Sequence, residues 1–148
     1  MGVQNSNCAI LADRSAETSE GIRGLLESEF ESVYLVATAR SLTQGVERLH
    51  PQVVVVDQFI ECEAIREILE AIHTLAPDAR VIVLASHPHA LVAEAMFAAG
   101  ADAVVLKRSA GTDLFEALAS MESGIRYVSP DFGGFAQEAP GGASAQSS

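Results

Sequence analysis

The run Val53-Val54-Val55-Val56-Asp57 constrains the fold more than any other stretch of this chain. Four β-branched residues in succession are stiff at χ1 and suit an extended backbone. Every position is apolar, not every second one. Such a strand must be covered on both faces, as in a parallel sheet under helices. His50-Pro51 precedes it and a helical pattern follows. In open α/β sheets, ligands sit beyond the carboxyl ends of the strands. The acid that ends the most buried strand is therefore the first candidate for chemistry.

Strand and helix patterns alternate on either side of this run. Cys8-Ala9-Ile10-Leu11-Ala12 reads as a first strand ending at Asp13. Ser15 or Thr18 can cap the helix that follows, with Ile22, Leu25, Leu26 and Phe30 at helical spacing. Val33–Ala37 is a second strand. Ser41 and Gln44 suggest a capping box for a helix carrying Leu42, Val46 and Leu49. After the Val53 strand, Ala64, Ile65, Ile68, Leu69, Ile72 and Leu75 form an amphipathic stripe that closes before Pro77. Val81–Ala85 is a fourth strand. Pro88 suits a helix start, with Leu91, Val92, Ala95 and Met96 as its inner face and Gly100 at its end. Ala103–Leu106 is a fifth strand ending at Lys107. Thr112 can cap a last helix in which Leu114, Phe115, Leu118 and Met121 face inward.

Five such pairs predict an α/β fold: a five-stranded parallel sheet joined by right-handed crossovers, a (βα)5 chain. The expected domain covers residues 8–130, between a short N-terminal tail (1–7) and a Gly/Pro/Ala/Ser-rich segment (131–148) expected to be a disordered linker or tail. The chain has 148 residues, enough for one core. No apolar stretch reaches the ~18 residues of a membrane span, and Met1–Asn7 lacks the features of a signal peptide. Two cysteines, Cys8 and Cys62, make neither a disulfide framework nor a zinc spacing. The expectation is a cytoplasmic protein. Its net charge of −11 disfavours direct contact with nucleic acid or an anionic membrane.

Asp13, Asp57 and Lys107 end three strands. In the doubly wound, flavodoxin-like order 2-1-3-4-5, strands one and three are neighbours. Asp13 and Asp57 then lie side by side, with Lys107 reaching over from the fifth strand.

The residues Ile10–Asp13, His50–Asp57, Pro77–Leu84, Ala99–Asp102, Leu106-Lys107 and Gly124–Pro130, in this order and spacing, carry a resemblance. The chain resembles the receiver (CheY-like) domain of a bacterial response regulator of the NarL/FixJ type. The resemblance implies phosphoryl transfer from a histidine kinase onto Asp57. It implies an acidic pair after the first strand that holds Mg²⁺, and a Thr or Ser ending the fourth strand. It also implies a phosphate-contacting lysine, Lys107, and a switch aromatic in the fifth strand. Regulators of this type usually carry a helix-turn-helix DNA-binding domain after the Ser-Pro segment.

The chain departs from that pattern. Asp13 matches the first acid, but Arg14 stands at the second. Ala85 replaces the hydroxyl residue, with Ser86 one place late, and Val104 replaces the aromatic. Gln58-Phe59-Ile60-Glu61 follows Asp57 without a Pro-Gly turn. Two acids (Asp13, Asp57) against two cations (Arg14, Lys107) leave little need for a dication. No metal is expected; any Mg²⁺ would use Asp13 and Asp57 and be weakly held. Arg14 either bridges the carboxylates or points to solvent.

The expectation is therefore a pseudo-receiver, not an enzyme: a signalling and protein-interaction module with phosphotransfer at Asp57 weak or lost. Its partners would be a histidine kinase or another signalling protein, with a homodimer through the last helices. The alternatives are a working phosphorelay receiver controlling a DNA-binding output domain missing from this chain, and a small hydrolase on the same rim. His73, His87 and His89 read as surface or loop residues, and Cys62 as unreactive. Gly21 and Gly24 form no phosphate loop, and Ser15 breaks an Asp-x-Asp phosphatase pattern. Small and apolar residues such as Ala93, Phe97 and Ala98 offer a surplus for docking.

Overall fold

The computed structural model describes residues 7–60 and 65–133, the side chains of Ala16 and Thr18 excepted. Six parallel strands make one sheet: β1 (Cys8–Ala12), β2 (Ser32–Val36), β3 (Val53–Asp57), β4 (Arg80–Ala85), β5 (Ala103–Leu106) and β6 (Tyr127–Val128). Their order is β2-β1-β3-β4-β5-β6, and every pairing is parallel. The helices are α1 (Ala16–Glu27), α2 (Ala39–Leu49), α3 (Ile65–Leu75), α4 (Ala90–Ala98) and α5 (Ala110–Glu122).

Alternate residues of each strand feed two separate cores. Ile10, Val54, Val56, Val81, Val83 and Val104 pack with Leu42, Val46, Ile68, Leu69, Ile72 and Met96 of α2, α3 and α4. Leu11, Val53, Val55, Ile82, Leu84 and Val105 pack with Ile22, Leu26, Leu114, Ala117 and Met121 of α1 and α5. The uninterrupted apolar runs are thus explained: each side chain meets a helix on its own face. Each fully buried valine contributes about 1.5–3 kcal/mol.

The structure corrects several expectations. The sheet has a sixth strand, β6, paired to β5. Two residues are too short a run to show a period, and Tyr127 and Val128 belong to opposite cores. The helix α2 is capped by Thr38, whose hydroxyl accepts from the Ser41 amide at 3.0 Å, so Ser41 lies inside the helix. The last helix does not begin at Thr112. A single 3-10 turn, Lys107–Ser109, runs straight into α5 at Ala110. In α4, Leu91 is 68% exposed, while Ala93, Met96 and Phe97 are buried. Nearly every residue of α4 is apolar, so its pattern does not choose a face; contact with the sheet does. Phe115 of α5 is likewise exposed. Ala93 and Phe97 are therefore core, while Ala90, Leu91, Ala95 and Ala98 of the same helix are exposed.

His73 is half-buried, and its Nε2–H donates to the Gly100 carbonyl at 2.7 Å. Gly100 sits at φ +115°, and a Cβ there would fall 2.4 Å from His73 Nε2. Glycine is needed at this turn both for its backbone angle and for its missing side chain. The folded chain also continues past residue 130. Pro130–Phe132 forms a 3-10 turn, and Phe132 is buried against the α3–α4 face. Residues 1–6, 61–64, including Cys62, and 134–148 lie outside the described residues.

Candidate functional site

Hydrogen bonding carries the sheet just past its strand ends. The Asp13 amide donates to the Val36 carbonyl at 3.0 Å, and the Gln58 amide to the Leu84 carbonyl at 2.9 Å. Asp13 and Asp57 are consequently held at the rim by the ladder itself, and both are buried. Asp13 Oδ1 accepts from the Ser15 amide at 2.9 Å, a local side-chain bond that opens α1.

Lys107 joins the two acids. Its Nζ lies 3.3 Å from Asp13 Oδ1, 3.3 Å from Asp13 Oδ2 and 3.3 Å from Asp57 Oδ2. The lysine comes from the turn after β5, so its stem crosses the sheet end while its head meets both carboxylates. Two buried oxygens, Asp13 Oδ2 and Asp57 Oδ1, accept no hydrogen bond among the described residues. Burial pushes the Asp57 carboxyl above the usual carboxylate range; Lys107 opposes this and Asp13 adds to it. Beside them, Arg14, Ser15, Asp57 and Phe59 line a shallow recess open to solvent.

Across 111 of its 148 residues (9–119), the sequence matches the family model of the response regulator receiver domain. The chain belongs to this family. Solved receivers share its fold. A LuxR-family response regulator from Aurantimonas aligns with a TM-score of 0.76 at 25% identity, covering 86% of this chain and 93% of that one. The unphosphorylated receiver domain of Escherichia coli RcsB aligns with a TM-score of 0.72 at 25% identity, covering 84% and 99%. Salmonella typhimurium RcsB, at 23% identity and a TM-score of 0.75, is covered over 66% of its length. No curated protein matches the sequence at a significant level.

Within the receiver, the structure brings Asp13, Asp57 and Lys107 together as the sequence implied. Arg14 behaves otherwise. It is exposed and makes no ion pair among the described residues. The bridging cation is Lys107 alone, because residue 14 falls where the chain turns outward into α1. Ala85 and Val104 are both 0% exposed and belong to the core of the α2–α4 face. The Ser86 amide donates to Gln58 Oε1 at 3.2 Å, tying the β4 end to the β3 end.

Sequence reasoning missed one polar cluster beside this site. Ser129 Oγ donates to Asp113 Oδ2 at 2.7 Å and accepts from the Leu106 amide at 2.9 Å. The signal was present: Asp113 falls on the inner stripe of α5 with Ala110, Leu114 and Ala117. A carboxylate on an apolar stripe needs a buried partner.

Proposed function

We propose that this chain is an atypical receiver: phosphotransfer at Asp57 is weak or lost, and the domain acts chiefly as a protein-interaction module in cytoplasmic two-component signalling. The observation that supports this reading is the apolar half of the rim. Ala85 and Val104, sealed in the core, stand at the positions of the hydroxyl and aromatic of the receiver pattern. A charge change at Asp57 can move the domain only through contacts that differ between its two states. A buried methyl and a buried valine provide none with a phosphoryl group.

The charged half supports a narrower alternative, a receiver that still accepts the group. With Arg14 in solvent, two carboxylates face one ammonium, and the balanced charge expected from the sequence no longer holds. Asp57 Oδ1, without a hydrogen-bond partner among the described residues, and Asp13 Oδ2, held by the Lys107 ion pair alone, fit Mg²⁺, which binds through one or two carboxylates. Asp13 and Asp57 would hold the ion, and it would neutralise charge during transfer. In that transfer an Asp57 oxygen attacks phosphorus, the bond from phosphorus to the leaving group breaks, and an acyl phosphate forms. Lys107 contacts the developing charge. In this alternative the receiver controls a DNA-binding output domain; RcsB dimers are known bound to DNA. A hydrolase reading has less support, since both rim acids are engaged by Lys107 and neither is paired with a general base among the described residues.

Incubation with Mg²⁺ and acetyl phosphate, followed by intact-mass measurement, separates the two readings. Little or no phosphoryl adduct is expected. Near-complete labelling that disappears in Asp57→Asn would overturn the atypical reading and favour the alternative. The partner surface is proposed as the exposed side of α4 and α5, where Leu91 and Phe115 stand in solvent, with a kinase, another signalling protein or a second copy as occupant.

A further inference from the structure

Lys107 is the only lysine in the chain, and among the described residues it alone connects both rim acids. What holds it there lies on its other side. The residue before it, Leu106, ends β5, and β6 spans only Tyr127–Val128. The sheet ladder therefore runs out just before Lys107. Past that point Ser129 takes over. Its amide donates to the Val104 carbonyl at 3.1 Å, and its hydroxyl accepts from the Leu106 amide at 2.9 Å. The hydroxyl proton goes to Asp113 Oδ2 at 2.7 Å. Ser129 is 0% exposed and Asp113 is buried, so water does not replace either bond. Pro130–Phe132 then anchors the segment through the buried Phe132.

We propose that Ser129 is a positioning residue for the rim: its hydroxyl, oriented by Asp113, pins the Leu106 amide and so fixes Lys107 over Asp13 and Asp57. The segment 127–132 and the charged rim then form one mechanical unit. Movement of this segment loosens Lys107, and a change in charge at the rim is felt by the segment. This route bypasses Val104, which has no aromatic side chain to swing. The inference rests on the rim geometry and the receiver fold, not on whether Asp57 accepts a phosphoryl group.

Because the chain has a single lysine, the test is direct. Reductive methylation of the full chain, followed by mass spectrometry, compares the labelling rate of Lys107 with that of the N-terminal amine. Removing a buried hydroxyl strands the Leu106 amide and the Asp113 carboxylate. Ser129→Ala is expected to raise the Lys107 rate several-fold, on the order of fivefold, since one lost buried bond of about 1 kcal/mol corresponds to that ratio. Ser129→Thr, which keeps the hydroxyl, should restore the slow rate. Ile72→Val removes one buried methyl from α3, away from Ser129 and the rim, and should leave the rate unchanged. If Ser129→Ala does not fold, Ser129→Cys is read in its place, with the same direction expected. An unchanged Lys107 rate in the hydroxyl-less variant, or an equal rise in Ile72→Val, overturns the proposal and leaves Ser129 a packing residue. No phosphate chemistry enters this assay, so its failure is distinct from failure of the proposed function.

Discussion

Asp13, Asp57 and Lys107 make up the charged half of the receiver's rim, and Ala85, with Val104 two residues inside the end of β5, the apolar half, although all five come from adjoining strands or the residues that follow them. In the charged half, polar atoms are buried and held at ion-pair distance, with two oxygens that accept no hydrogen bond among the described residues. In the apolar half, the same depth of burial is filled by carbon. Holding a charge and responding to one are separable tasks. The first needs a cation that reaches across the sheet end. The second needs a group whose contacts change with that charge, and a fully packed methyl has none to exchange.

The largest effect that would sharpen this comparison comes from removing the cation. Lys107→Met leaves two buried like charges uncompensated and should cost about 3 kcal/mol in urea denaturation at neutral pH. Adding Asp57→Asn to that variant should recover part of the loss. If Lys107→Met has no effect on stability, the charged half is not held as described. Next, Val104→Phe tests whether the apolar half has room for an aromatic. Val104 pairs in register with Val83 and Val128 in a filled core, so overpacking should cost about 2 kcal/mol. A neutral result would mean that the pocket for a moving ring is still present.

A smaller effect concerns the ionisation of Asp57. Its folded pKa is raised above 3.8, by burial first and by Asp13, against the pull of Lys107. The folded state thus keeps a proton that the unfolded state has already released. The stability tied to that proton is complete below 3.8 and is lost as pH rises through the folded pKa of Asp57. Asp57→Asn should therefore be the more stable form at pH 7, where the wild type has lost that proton. Its advantage should shrink on acidification and vanish below the unfolded pKa, as thermal melts across that range would record. Ala85→Ser, which puts a hydroxyl at a fully buried position, is expected to lose about 1 kcal/mol. That variant breaks the comparison if the two halves are independent: a hydroxyl restored to the apolar half should raise the phosphoryl-labelled fraction several-fold. An unchanged labelled fraction would place the defect in the charged half instead.

Much of the scaffold could be read directly. β1 and β5 begin and end where their apolar runs do, and β3 runs one residue further to Asp57, because a strand buried on both faces admits no polar residue until it reaches the rim. Asp13, Asp57 and Lys107 were legible for the same reason: each is the first charge after such a run. α4 was legible as a helix but not in orientation, since its sequence is apolar on every side. Arg14 was ambiguous because one residue of chain direction decides whether a long side chain meets its neighbours or the solvent.

The order of elements, the two-faced burial of the strands and the identity of the rim charges follow from local pattern, because hydrophobic periodicity acts over a few neighbouring residues. Tertiary structure alone decided that Lys107 and not Arg14 bridges the acids, that Tyr127–Val128 adds a strand, and that Ser129 meets Asp113 and Leu106. Ser129 and Leu106 lie 23 residues apart, and Lys107 and Asp13 lie 94 apart. Contacts of that span are chosen by how whole elements pack, and no pattern within any one segment encodes them.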